Sequence, residues 1–166
     1  LTMLKKQTQE EPLHSGEIYH LWTYLYDAKA VLVTTQVFIN HTGDHDLKTF
    51  LEDLYESCLK QEEQQVEAII KEAGIRLPPA PPDRPNVEVE DIPAGARFHD
   101  AEISLLVQKE LSAGRILCSY IIGICLHEDI RSMFSDFQAQ KEEYEQNLLK
   151  ITKEKGWLVT PPTSVK

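Results

Sequence analysis

Between two long segments of helical periodicity lies Arg76-Leu-Pro-Pro-Ala-Pro-Pro-Asp-Arg-Pro-Asn-Val-Glu-Val-Glu-Asp-Ile-Pro-Ala-Gly95, with six prolines. Proline has no amide hydrogen and its ring clashes with the preceding turn, so no helix continues through this stretch. A structureless loop of this length in a compact domain usually has a structural task. We therefore read residues 75–98 as an extended connector rather than a linker that merely loops out.

The flanking segments predict four helices. From Ser15 to Asn40, Ile18, Leu21, Trp22, Leu25, Leu32 and Ile39 recur at three- and four-residue steps. Gly43 reads as the stop after this helix, and Asp44 or Asp46 as the next N-cap. The second helix is expected from Asp46 to Ala73, with Leu47, Phe50, Leu51, Leu54, Cys58, Ala68 and Ile69 inward and Gly74 ending it. The third starts near Asp100 and runs through Leu106, Leu111, Ile116, Tyr120 and Ile124. The fourth runs from Glu128 through Phe134, Phe137, Tyr144, Leu148 and Ile151 to Lys155, and Gly156 closes it.

A helix of about 26 residues is roughly 39 Å long. The connector, extended, reaches on the order of 65 Å, so it can run the whole length of the bundle. Short links elsewhere force antiparallel hairpins, whereas this connector lets the second and third helices run parallel. The expected fold is thus an all-α, ferritin-like four-helix bundle with a long Pro-rich crossover between helices 2 and 3. One domain is expected over residues 1–166, with a flexible N-terminal segment at 1–13 and an apolar C-terminal tail at 157–166.

Composition narrows the function classes. The 27 acidic residues against 17 basic ones give a formal charge of −10, which repels phosphate backbones and anionic lipid surfaces, so no nucleic-acid or membrane partner is expected. The longest apolar run, Ile116 to Leu126, is too short to cross a bilayer. The N-terminal residues lack an apolar core followed by a cleavage site, which gives secretion no support. Cys58, Cys118 and Cys125 are an odd number in apolar segments, and read as reduced, buried thiols of an intracellular protein.

Glu17 and His20 form Glu-x-x-His, the spacing by which a helix of a carboxylate-bridged dinuclear bundle offers two ligands on one face. Such a centre needs a second copy and further carboxylates at mid-helix. The central candidates are Glu62, Gln65, Glu110 and Glu142, none with a histidine at the required spacing. Histidines gather instead at helix ends, where Glu17 and His20 are expected near His127 and Glu128, and His41 and His45 near His99. Either group suits zinc or nickel in ligand type.

A structural role competes for the same residues. His14 precedes Glu17 by three positions and His99 precedes Glu102 by three, the spacing of a capping box. Ser15 and Asp100 are rival N-caps. No phosphate loop, Cys-x-x-Cys or nucleophile elbow is present, so no catalytic residue and no cofactor is expected.

Several motifs also carry a resemblance. Leu13-x-x-x-Glu17-Ile18-x-x-Leu21-Trp22, Leu77-Pro78, Asp100-Ala-Glu-Ile103, Asp129-Ile-Arg131 and Lys155-Gly-Trp-Leu-x-x-Pro-Pro162 together resemble an uncharacterised family of ferritin-like proteins in spore-forming bacilli, related in shape to spore coat protein F. The resemblance implies a ferritin-like bundle associated with the spore coat, and no established reaction. The expectation is a non-catalytic structural or interaction protein, cytoplasmic or in the spore coat, that self-associates or binds other coat proteins. The surplus of aromatics, among them Tyr19, Tyr24, Tyr26 and Trp157, points the same way. The rival expectation is a metal-binding oxidoreductase or storage protein with a degenerate site, and a third is a small-ligand pocket between the helices, since bundle cores host such sites.

Overall fold

The structure is a computed structural model that describes residues 11–165. Among these the chain forms four helices and no strand. Helix α1 is Ser15–His41. Helix α2 is one rod of three stretches, His45–Asp53, a π-helical Leu54–Leu59, and Lys60–Glu72. Helix α3 is Asp100–Ile124 and α4 is Glu128–Glu154. The expected bounds hold to within a residue. Most of the segment expected to be a flexible N-terminus lies outside the described residues.

Local chemistry sets the ends. His14 is the N-cap of α1: its Nδ1 accepts the Glu17 amide at 3.1 Å, and Glu17 Oε1 accepts the His14 amide at 3.1 Å. His99 caps α3 with Glu102, and Asp44 caps α2. Gly74 and Gly156 take φ of +69° and +72°, the left-handed conformation that glycine enters without steric cost. In each case the next residue, Ile75 or Trp157, bonds back to a carbonyl five positions earlier, which completes a Schellman turn. Gly43 does not act this way. Helix α1 ends instead on an extended Thr42.

Two inward faces differ from expectation. In α2 the π-helical stretch spreads its turn over one extra residue, which rotates the rest of the helix, so Val66 and Ile70 are buried in place of Ala68 and Ile69. In α3 the buried positions are Ile103, Ser104, Val107, Leu111, Cys118 and Ile121, whereas Leu106, Ile116 and Tyr120 are exposed. This helix is apolar on more than one side, so periodicity alone does not choose its core face.

The core falls into two apolar halves. One gathers Phe38, Leu47, Leu51, Ile103, Leu111 and Leu148; the other gathers Leu21, Leu25, Val66, Ile70, Ile121 and Phe134. Trp157 packs against the first and Ile75 against the second. The connector, apart from short 3-10 turns at Val89–Asp91 and Ala94–Ala96, has no regular structure and is held by side chains of α1. Trp22 donates to the Arg76 carbonyl at 2.8 Å. Gln36 bonds the Arg84 amide and the Asp83 carboxylate, Asn40 bonds Pro85 and Val87, and His41 Nδ1 accepts the Phe98 amide at 2.9 Å.

Candidate functional site

Between the two apolar halves lies a polar layer. On α4 it falls between Phe137 of one half-core and Tyr144 of the other, and on α2 between Leu59 and Val66. There Lys141 and Glu62, 4% and 2% exposed, form a buried ion pair. Tyr24 donates to the same carboxylate oxygen, Glu62 Oε2, at 3.5 Å and lies 3.7 Å from Cys118 Sγ. Glu62 Oε1 has no hydrogen-bond partner among the described residues.

The sequence on α3 makes room for the lysine. A Cβ at Gly114 would stand 2.9 Å from Lys141 Cε, so only glycine lets the stem cross there unhindered. Burial pushes the Glu62 carboxyl up, and the Lys141 charge offsets part of that rise. Burial opposes the charge on Lys141, but Glu62 outweighs it and holds the ammonium proton more tightly than usual. Burial pushes the Asp27 and Glu110 carboxyls up, helped at Glu110 by the charge of Asp27, and the nearby Lys141 charge offsets part of each rise.

This layer opens into a cavity of about 750 Å³ that runs between α1 and α3. It is lined by Tyr24, Asp27, Glu62, Glu110 and Lys141, by the exposed Arg84 and Lys109, and by the apolar Val31, Phe38, Leu54, Phe98, Leu106 and Val107. Of the central residues singled out from sequence, Glu62 and Glu110 line it, whereas Gln65 and Glu142 are exposed elsewhere. Sequence reasoning missed Lys141 and Tyr24. The signal for Lys141 was present: it stands four residues after Phe137 and seven after Phe134, on the inward stripe of α4.

The expected meeting at the bundle end also takes a specific form. Glu17 is fully buried, and its Oε2 accepts the Leu126 amide at 3.0 Å and His127 Nδ1 at 2.8 Å. His127 Nε2 meets the Glu11 carbonyl at 2.9 Å. Both partners accept only, so both ring nitrogens donate and His127 is an imidazolium. Its hydrogen bonds to the Glu11 carbonyl and the Glu17 carboxylate raise its pKa. Burial favours the neutral form of Glu17, yet the His127 side chain and three amides outweigh it and hold the carboxyl below its usual value. His14 Nδ1 is occupied as an acceptor, so its Nε2 carries the proton and donates to the Ile124 carbonyl at 3.2 Å.

The other end-of-bundle candidates stand apart. His20 packs edge-on against Tyr19 and Tyr120, and Glu128 is exposed. His45 and His99 are exposed as well. Among the described residues no three His, Cys, Asp or Glu side chains are grouped to hold a metal ion. Cys58, Cys118 and Cys125 are buried and unbridged, and burial pushes their thiols up to about 12, 11 and 11. No helix of the described residues is long and apolar enough to cross a membrane.

Fold and site together define an all-helical bundle with a central ion pair and a lateral cavity. The chain belongs to the family described as "Protein of unknown function (DUF3231)", which it matches over residues 2–166. It is 39% identical over 160 residues to the uncharacterized protein YvdQ of Bacillus subtilis (strain 168), covering 96% of this chain and 94% of that protein. A crystal structure from Bacillus halodurans C-125, described as that of a "putative spore coat protein", superposes with a TM-score of 0.91 at 42% identity, over 96% of this chain and 99% of the other. A conserved hypothetical protein of Mycobacterium tuberculosis shares the fold at a TM-score of 0.70 and 11% identity, over 90% of this chain and 98% of the other.

Proposed function

We propose that this chain is a non-catalytic structural component of the spore coat, built as a single ferritin-like domain that self-associates. The observation that carries the coat assignment is its 42% identity, across nearly the whole of both chains, to the Bacillus halodurans protein. The ferritin-like crossover is supported by the connector's hydrogen bonds along α1, which progress from Trp22 through Gln36 and Asn40 to His41. That direction carries the chain from the end of α2 back to the level at which α2 began, so α3 sets out parallel to α2.

The central layer favours a structural role over a metal-dependent oxidoreductase or storage protein. Ferritin-type metals sit at this level of a bundle. Here the level is taken by the Lys141 ammonium, which has no lone pair to offer and repels a cation. Self-association is supported by large exposed apolar side chains on α1, α3 and the turn after it: Tyr19 64%, Ile116 64%, Tyr120 55% and Leu126 74%.

A fluorescent fusion in a sporulating Bacillus is the test of the coat assignment. A ring around the forespore is expected, and diffuse fluorescence throughout sporulation overturns it. Light scattering is expected to show species above 19 kDa, reduced by Tyr120→Asp. Elemental analysis after growth with iron, manganese and zinc is expected to find each metal well below one equivalent. Stoichiometric metal would favour the oxidoreductase or storage reading.

A further inference from the structure

We propose that two copies of this chain pair through the outer face of α3, antiparallel from Leu106 to Gly123; this rests on the self-association already proposed and gives it a surface and a register.

Helix α3 carries a second periodic row besides the one it buries. Leu106, Lys109, Ala113, Ile116, Tyr120 and Gly123 follow one another at steps of three, four, three, four and three residues, the heptad spacing that keeps a seam facing a partner helix. All six are exposed. At 3.6 residues per turn the row points roughly 150° away from the buried Ile103, Val107, Leu111, Cys118 and Ile121, so the core of the bundle leaves it uncovered. Ile116 and Tyr120, 64% and 55% exposed, present its largest apolar surface. Tyr19 of α1 extends the patch, because the His20 ring packs on both Tyr19 and Tyr120 at centroid distances of 5.1 and 5.0 Å.

Charge and side-chain size select a second copy as the partner. The chain carries a formal charge of −10, which holds copies apart over most of the surface. The row and the positions beside it, Leu105, Glu110, Ser112, Leu117 and Ser119, hold one positive charge, Lys109, and one negative charge, Glu110. Two copies therefore meet there without net repulsion. Run antiparallel and centred between Ala113 and Ile116, the row fits itself. Leu106 lies over Gly123 of the second copy, Lys109 over Tyr120 and Ala113 over Ile116, and each contact occurs twice about the two-fold axis. Large side chains then meet small ones, and the Lys109 ammonium meets an aromatic face. A parallel pairing would set Lys109 against Lys109 and Ala113 against Ala113, joining like charges and leaving gaps.

Sedimentation equilibrium of the full chain tests this. A mass of two 19.0 kDa chains is expected. Ile116→Glu puts like charges beside the axis and should raise the dimer dissociation constant at least about tenfold. Leu149→Glu, the same kind of change at an exposed apolar position of α4, should leave it unaltered. Ala113→Lys should also weaken the pairing of its own copies, and mixing it with Ile116→Glu should restore a heterodimer, because residues 113 and 116 face each other across the axis. A wild-type chain that stays monomeric at high concentration overturns self-association itself. A wild-type chain that associates, with Ile116→Glu pairing as tightly or the mixture no tighter than either variant alone, overturns this surface and register and leaves self-association standing.

Discussion

His127 Nδ1 donates to Glu17 Oε2 at 2.8 Å across 110 positions of sequence, joining the first turn of α1 to the start of α4. A fully buried carboxylate and a nearly buried imidazolium, 0% and 13% exposed in their side chains, thus close one end of the bundle. Glu-x-x-His had suggested Glu17 and His20 as a ligand pair. The histidine that Glu17 meets comes from another helix.

The pair should make stability depend on pH from both sides. Glu17 has a lowered folded pKa, so its contribution is present above the usual 4.5 and is lost as pH falls through the folded value. His127 has a raised folded pKa, so its contribution is full below the usual 6.5 and is lost as pH rises through the folded value. Both are complete between 4.5 and 6.5. Urea titrations should find His127→Ala less stable by about 1–3 kcal/mol near pH 5.5, with the deficit shrinking in alkaline buffer.

Breaking the central pair on one side should be worse than removing it whole. Lys141→Met strands the Glu62 carboxylate and should destabilise by about 3–5 kcal/mol, whereas Lys141→Met with Glu62→Leu should recover most of that loss. A double-mutant cycle by chemical denaturation measures both. If the double variant proves as unstable as the single one, the pair is not the source of the loss.

Two glycines on α3 should respond oppositely to alanine. Around Gly123 no atom lies within 4 Å of an added Cβ, so Gly123→Ala should stabilise by about 0.5–1 kcal/mol through helix propensity. At Gly114 the added Cβ would press on Lys141 Cε at 2.9 Å, and the same gain should be cancelled or reversed. Thermal unfolding of the two variants makes the comparison.

The connector should loosen without the bundle unfolding when its α1 anchors are cut. Asn40 holds the Pro85 carbonyl at 2.9 Å and the Val87 amide at 3.2 Å. In Asn40→Ala, hydrogen exchange should speed up at Val87 and neighbouring amides while core amides of α4 keep their protection.

What was legible in the sequence was what adjacent residues decide. Helix ends came out within a residue because capping pairs such as His14 with Glu17, stop glycines such as Gly74 and the prolines from Pro78 to Pro93 act over a single turn. The central acids Glu62 and Glu110 were visible as candidates for the same reason, by position on a helix face.

The tertiary structure alone decided which of several apolar faces α3 buries, since Ile103, Val107, Leu111, Cys118 and Ile121 compete with Leu106, Ile116 and Tyr120 on equal hydrophobic terms. It also decided that Glu62 pairs with Lys141, 79 positions away, and that Glu17 pairs with His127. Side chains that meet across helices leave no periodic trace of their partner, because periodicity records only that a residue points inward. Which charge it finds there depends on helix rotation, and in α2 that rotation is set by the π-helical turn from Leu54 to Leu59.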